Sequence, residues 1–311
     1  MRIASIDIGS NTVLLLICEL KNAEIFSIQN EYRMPRIGEG VKYGSQIGNE
    51  KIIKLLRILD EYKAIADSRN CEKILAVGTA ALRKASNGLE IVERINTDLG
   101  IEVEIIDGKT EAYLSFLGAT GGETDNNQNR LVIDIGGSST EIIYGNGEKI
   151  FFSNSFPEGA VTLKEKFIKT DPYSQEDVLK LKEFLINFFD EVKKSIPKNP
   201  LTFAVAGTPT TLASIKNGNK NYDEKKVANT ILKYSDLLDL ETEMLIKSSK
   251  HILSDYGEVV LGREDVINTG LIILSQISKI LNISEIKVST KGIRYGLVYK
   301  LIANGAKGSK Y

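Results

Sequence analysis

L-V-I-D-I-G-G-S-S-T-E-I-I-Y, from Leu131 to Tyr144, is the stretch around which the chain is organised. Its first half is a short β-branched apolar run that reads as a buried strand and ends in Asp134, with two glycines and two serines directly behind it. Thr140 to Tyr144 then reads as a returning strand. Glycines at such a turn let the backbone come close to a ligand. Successive N–H groups, with the hydroxyls of Ser138, Ser139 and Thr140, offer donors to phosphate oxygens. Asp134 and Glu141 supply the carboxylates that a divalent ion needs to bridge protein and phosphate. An ordinary hairpin with a small-residue turn is the plainer alternative.

A second copy shifts the balance. Met1 to Ile17 reads M-R-I-A-S-I-D-I-G-S-N-T-V-L-L-L-I, and Ile6-Asp7-Ile8-Gly9 recurs identically as Ile133-Asp134-Ile135-Gly136. In both places a strand ends Asp-apolar-Gly, a small polar turn follows and a second apolar strand leaves. Repetition at this scale points to two similar domains rather than a solenoid. Two phosphate-cradling turns, one per domain, are expected to face each other across a cleft.

Composition narrows the function classes. A chain of 311 residues is long enough for two cores. Its net charge of −1 provides no global field to recruit nucleic acid or an anionic membrane, so neither is an expected partner, and any polyanion must meet locally placed cations. Cys18 and Cys71 form no C-x-x-C pair, which suits a reducing cytoplasm without a structural zinc site. Met1 runs directly into a strand pattern without a leader, and no apolar run is long enough for a bilayer, so a cytoplasmic location is expected. His251 is the lone histidine, which excludes a His-rich metal centre, and a carboxylate is the expected base.

In order, strands are expected at 2–8, 12–19 and 24–30, followed by a glycine-rich connector in which Arg33, Arg36 and Lys42 either reach a cleft or remain solvated. A helix follows over 50–66, then a strand at 73–77 running into Gly78-Thr79-Ala80-Ala81-Leu82-Arg83, where Arg83 is a candidate phosphate contact. A strand at 101–106 leads to Asp107-Gly108-Lys109-Thr110-Glu111. Glu111 opens a helical run there, as a dipole-matched residue or as a general base. The polar segment 118–129 is the expected domain boundary, dividing 1–125 from 126–295, with the helix 296–308 returning to the first domain. In the second half, a helical stripe covers 177–194, and Leu201–Ala206 ends at the turn Gly207-Thr208-Pro209-Thr210-Thr211. Helices are expected near 235–250 and 266–281 and a last strand at 286–289, with a mobile tail after Asn304. Alternating strands and helices argue for two α/β domains. No turn fits the P-loop pattern and none has G-x-G-x-x-G in a strand-to-helix setting.

The blocks D-I-G-S-N-T (7–12), R-I-G-E-G-V (36–41), G-T-A-A-L-R-K-A-S-N (78–87), D-G-K-T-E-A (107–112), D-I-G-G-S-S-T-E (134–141), A-G-T-P-T-T-L (206–212) and K-G-I-R-Y-G (291–296) resemble the exopolyphosphatase / guanosine pentaphosphate phosphatase (Ppx/GppA) family. They run in order along essentially the whole chain. The resemblance implies two actin-like (ribonuclease H-like) domains with mixed sheets flanked by helices, in the short form without an additional carboxy-terminal helical domain. It implies that Glu111 activates the attacking water, and that Asp134 and Glu141, with Asp7, belong to a Mg²⁺ and phosphate site. Ser10 and Asn11 match the first phosphate loop and Gly136, Gly137 and Ser139 the second, while Arg83 and Arg294 fall in blocks lining the cleft. Two departures stand out. Ser138 replaces the third glycine usual in the second loop, and Asp107 and Thr110 stand where serine and a further glutamate are usual.

The expected activity is release of orthophosphate from the terminal anhydride of inorganic polyphosphate. Its alternative is removal of the 5′-terminal phosphate of guanosine pentaphosphate, and a nucleotide-binding module or phosphotransferase is the reading from another class. A homodimer is among the assemblies this family resemblance allows.

Overall fold

The computed structural model describes residues 1–121, 128–146 and 149–308. In chain order, the first run holds β1 (Arg2–Ile8), β2 (Val13–Lys21), β3 (Glu24–Arg33), α1 (Asn49–Ser68), β4 (Lys73–Gly78), α2 (Ala80–Lys84), α3 (Gly88–Leu99), β5 (Val103–Ile105) and α4 (Gly108–Thr120). Then come β6 (Arg130–Ile135), β7 (Thr140–Gly145), β8 (Ile150–Phe156), α5 (Ala160–Phe167), α6 (Gln175–Phe188), α7 (Asp190–Ser195), β9 (Leu201–Val205) and α8 (Gly207–Lys216). The chain continues through α9 (Glu224–Val227), β10 (Ile231–Lys233), α10 (Tyr234–Met244), α11 (Ser249–Tyr256), α12 (Ile267–Leu281), β11 (Glu285–Val288) and α13 (Ile293–Gly308). The architecture is mixed α/β with two mixed sheets flanked by helices, as the alternation of patterns in the sequence led one to expect.

Residues 1–121 with the segment from 291 onward form one compact unit, and the segment up to 290 forms the other. The boundary expected within 118–129 falls largely on 122–127, outside the described residues.

The first sheet runs β3-β2-β1-β4-β5, with β1, β2 and β3 antiparallel and β1, β4 and β5 parallel. Its core under α1 is aliphatic: Ile6, Ile8, Val13, Leu15 and Ile17 from the central strands meet Leu55, Leu59 and Tyr62. On the other face α13 lays Tyr295 and Val298 on Ile3, Leu16 and Cys18. The second sheet runs β10-β11-β9-β6-β7-β8, with β6, β7 and β8 antiparallel and β6, β9 and β11 parallel. The duplicated D-I-G block thus carries a duplicated topology: β3-β2-β1-β4-β5 corresponds to β8-β7-β6-β9-β11.

Several expected boundaries move. The stripe at 177–194 is two helices, because Phe189 leaves helical geometry (φ −102°, ψ 21°) to bury its ring against Phe156 and Phe188. The expected helix at 235–250 likewise ends at Met244, and a new one starts at Ser249, capped by the Ser248 hydroxyl. α3 was not anticipated; it buries Ile91 and Ile95 one turn apart and stops at Gly100 in the left-handed region (φ 65°). The turn at 207–211 is the opening of α8 itself, and α13 continues to Gly308 rather than giving way to a tail after Asn304. No helix among the described residues is long and apolar enough to cross a membrane.

Candidate active site

Parallel strands end side by side, so the loops leaving their carboxyl ends share one edge of each sheet. In the first unit Asp7 pairs with Val77, and Gly78 with Ile105, so the turn at 9–12, the start of α2 and the start of α4 are neighbours. Thr79 donates its backbone N–H to the Ile8 carbonyl (3.1 Å) at this edge.

α4 is started by Asp107, whose carboxylate accepts the Thr110 N–H at 2.7 Å. That hydrogen bond holds the Asp107 carboxyl below the usual carboxylate range. One step further along, Glu111 is only 5% exposed. A buried carboxylate requires a partner, and Glu111 has Arg83, whose guanidinium donates to Glu111 Oε2 at 2.8 Å and to the Ile106 carbonyl at 2.7 Å. Two candidates from separate blocks are therefore brought together. Arg83, read from the sequence as a phosphate contact, engages the carboxylate at this position.

α4 is itself positioned by α13. A Cβ at Gly296 would collide with the Leu114 carbonyl, and one at Gly118 with the Gly292 carbonyl, so the two helices approach at backbone contact. This explains the second glycine of K-G-I-R-Y-G, Gly296. Within that block, Arg294 donates to the Leu15 carbonyl (3.1 Å) and to Asn30 Oδ1 (2.8 Å), while Ser5 donates to the Arg294 carbonyl (2.8 Å). Its guanidinium lies on β2 and β3, a tie of the first sheet that the sequence had assigned to phosphate.

The two small-residue turns share one construction. Gly9 N–H donates to Thr12 O at 2.9 Å, and Gly136 N–H donates to Ser139 O at 3.0 Å. In the first turn the Ser10 and Asn11 carbonyls are taken by Gly38 N–H (2.8 Å) and Arg36 N–H (3.1 Å). Asn11 Oδ1 is buried without a hydrogen-bond partner among the described residues. In the second turn, the Gly136 carbonyl accepts Ala160 N–H (3.0 Å) and the Gly137 carbonyl accepts Val161 N–H (2.8 Å), both from the start of α5. Ser138 and Ser139 are buried beside them. The connectors 36–41 and 157–162 thus buttress the turns, a role that spacing alone did not reveal. Of the basic residues in the first connector, Arg33 is engaged by Glu31 and Glu61, and Lys42 stays exposed.

In the second unit Asp134 and Glu141 lie directly opposite each other on β6 and β7, 7% and 1% exposed. Two buried carboxylates in register offer the oxygen donors that a hard divalent cation would take. Among the described residues no group of three or more His, Cys, Asp or Glu side chains is placed to hold a metal. At the matching position of the first unit, Asp7 faces Leu14 and offers a single carboxylate.

The sequence profile of the Ppx/GppA phosphatase family matches residues 16–304. Exopolyphosphatase 2 of Mycobacterium tuberculosis is 28% identical over 96% of this chain and 98% of its own length. A bifunctional 3-dehydroquinate synthase/phosphatase of Fusobacterium nucleatum is 30% identical over 97% of this chain, which spans only 46% of that protein. A guanosine-5′-triphosphate,3′-diphosphate pyrophosphatase of Aliivibrio fischeri is 27% identical, with 59% of its length matched. Among solved structures, the Aquifex aeolicus PPX-GPPA enzyme superposes with a TM-score of 0.82 at 32% identity, covering 96% of this chain and 99% of its own. An exopolyphosphatase from Cytophaga hutchinsonii superposes with a TM-score of 0.89 at 27% identity over 98% of each chain. The chain belongs to the Ppx/GppA phosphatase family, a family of phosphoanhydride hydrolases.

Proposed function

We propose that this chain is an exopolyphosphatase, cleaving the terminal anhydride of inorganic polyphosphate to release orthophosphate. The observation that carries the reading is Glu111, buried at the start of a capped helix and gripped by Arg83. Hydrolysis needs a water whose proton is taken as it attacks, and a carboxylate of fixed orientation does this without histidine. The Arg83 contact at Oε2 holds the Glu111 carboxylate in place.

In each unit the small-residue turn, at 9–12 or at 136–139, offers backbone N–H groups and hydroxyls to phosphate oxygens, and its buttressed carbonyls fix the loop shape before substrate arrives. Asp134 and Glu141 would hold Mg²⁺, which when bound neutralises charge on the phosphoryl oxygens. The near end-to-end match with exopolyphosphatase 2 supports polyphosphate. The Aliivibrio fischeri relative, named for guanosine pentaphosphate, motivates the second reading, removal of that nucleotide's 5′-terminal phosphate.

Phosphate release from long-chain polyphosphate, guanosine pentaphosphate and ATP, measured side by side with Mg²⁺, tests these readings. Polyphosphate should give the highest kcat/KM. Preference for the pentaphosphate would move the assignment to the second reading. Transfer of phosphate from ATP to an acceptor, with no release from the other two, would make the chain a phosphotransferase.

A further inference from the structure

The duplicated fold contains its own control for the carboxylate pair. In both units three antiparallel strands present one residue each at the same level, just before or after the glycine turn. The first unit reads Asp7 on β1, Leu14 on β2 and Tyr32 on β3; the second reads Asp134 on β6, Glu141 on β7 and Ser155 on β8. The topology therefore accepts an apolar residue and a tyrosine at the second and third positions. Where the second position is a glutamate, the third is the short Ser155, and its Oγ donates to Glu141 Oε1 at 2.6 Å.

We propose that Ser155 is a positioning residue that orients Glu141 as a ligand of the divalent cation. Glu141 is 1% exposed, so its carboxylate has little water to hold it in one rotamer. A hydroxyl donating to one oxygen restrains the carboxylate plane on the strand position opposite Asp134. Partners of this kind tune metal affinity although they never touch the metal. Charge-assisted hydrogen bonds of this length are among the stronger ones. The rest of β8 supports a role for this one residue: it is an edge strand with exposed Phe151, and Ser153, two residues earlier on the same face, lies exposed opposite apolar Ile143.

This inference rests on the carboxylate pair being a metal site, and the test separates the two. Mn²⁺ affinity is measured by electron paramagnetic resonance on full-length protein carrying Glu111→Gln, with tripolyphosphate present, so that the substrate persists. Ser155→Ala should weaken Mn²⁺ binding by about 10-fold or more, while Ser155→Thr, which retains the hydroxyl, should stay near the parent value. Thermal melting of each variant in the absence of metal checks that the fold is retained. Equal Mn²⁺ affinity in Ser155→Ala and parent would overturn the positioning role and leave the metal site standing. If the parent binds no Mn²⁺, both the site and the role assigned to Ser155 fall.

Discussion

Glu111 and Arg83 form the smallest unit whose behaviour can be tested. Arg83 is 26% and Glu111 7% exposed at the side chain, so the pair lies between a surface ion pair and a fully buried one. Replacing Arg83 by Met leaves a buried carboxylate without its cation, and we expect a loss of about 1–3 kcal/mol in urea unfolding. The double replacement with Glu111→Gln should recover part of that loss, which a double-mutant cycle would measure. In kinetics, Arg83→Met should lower kcat more than it raises KM, because it disorients the base; a pure KM effect would return Arg83 to the phosphate. Asp107 carries a separate signature. Its carboxyl is held low chiefly by the Thr110 backbone N–H, so the cap stabilises the fold above the unfolded value of 3.8 and is lost as pH falls through the lower folded value. Asp107→Ala should cost about 1 kcal/mol at neutral pH. The gap to the parent should close in acid melting curves. Glu111 was legible from its place behind a strand and turn, but its partner was not, since nothing in the spacing of 83 and 111 announces a contact.

Among the elements, the glycines carry the most information. Gly296 and Gly118 set the crossing of α13 with α4, and through it the place of Glu111. Gly296→Ala should therefore destabilise by about 1–3 kcal/mol, as overpacking does. It should also reduce turnover beyond the loss of folded protein, readable by comparing activity with near-ultraviolet circular dichroism. Sequence pattern identified most strands and the two turns, because alternation and Gly-Ser punctuation are local signals. It merged α6 with α7 and missed α3. Phe189 breaks helical geometry only for the sake of the ring cluster it joins, a tertiary cause invisible in an apolar stripe. Arg294, which the family resemblance places among the phosphate contacts, has its guanidinium on the carbonyl of Leu15 and the side-chain oxygen of Asn30, contacts that no local pattern announces.

At the scale of the molecule, the echo Ile6–Gly9 and Ile133–Gly136 was the most productive observation in the sequence. It correctly implied two related sheets, and the copies diverge at the level of the aspartate: Leu14 and Tyr32 in one, Glu141 and Ser155 in the other. The first core also contains a reporter of its integrity. Cys18 is fully buried on β2 and its thiol is pushed up to about 11, by burial and then by Cys71. Cys71, half-buried, should react with a thiol reagent in native protein, whereas Cys18 should react only at the rate of global unfolding. The central claim, that Glu111 takes the proton of the attacking water, is tested most directly by steady-state phosphate release from polyphosphate by Glu111→Gln. Turnover should fall about 10²–10⁴-fold while polyphosphate still binds with near-parental affinity and the melting temperature is retained. Release at the parental rate from the folded variant would contradict it.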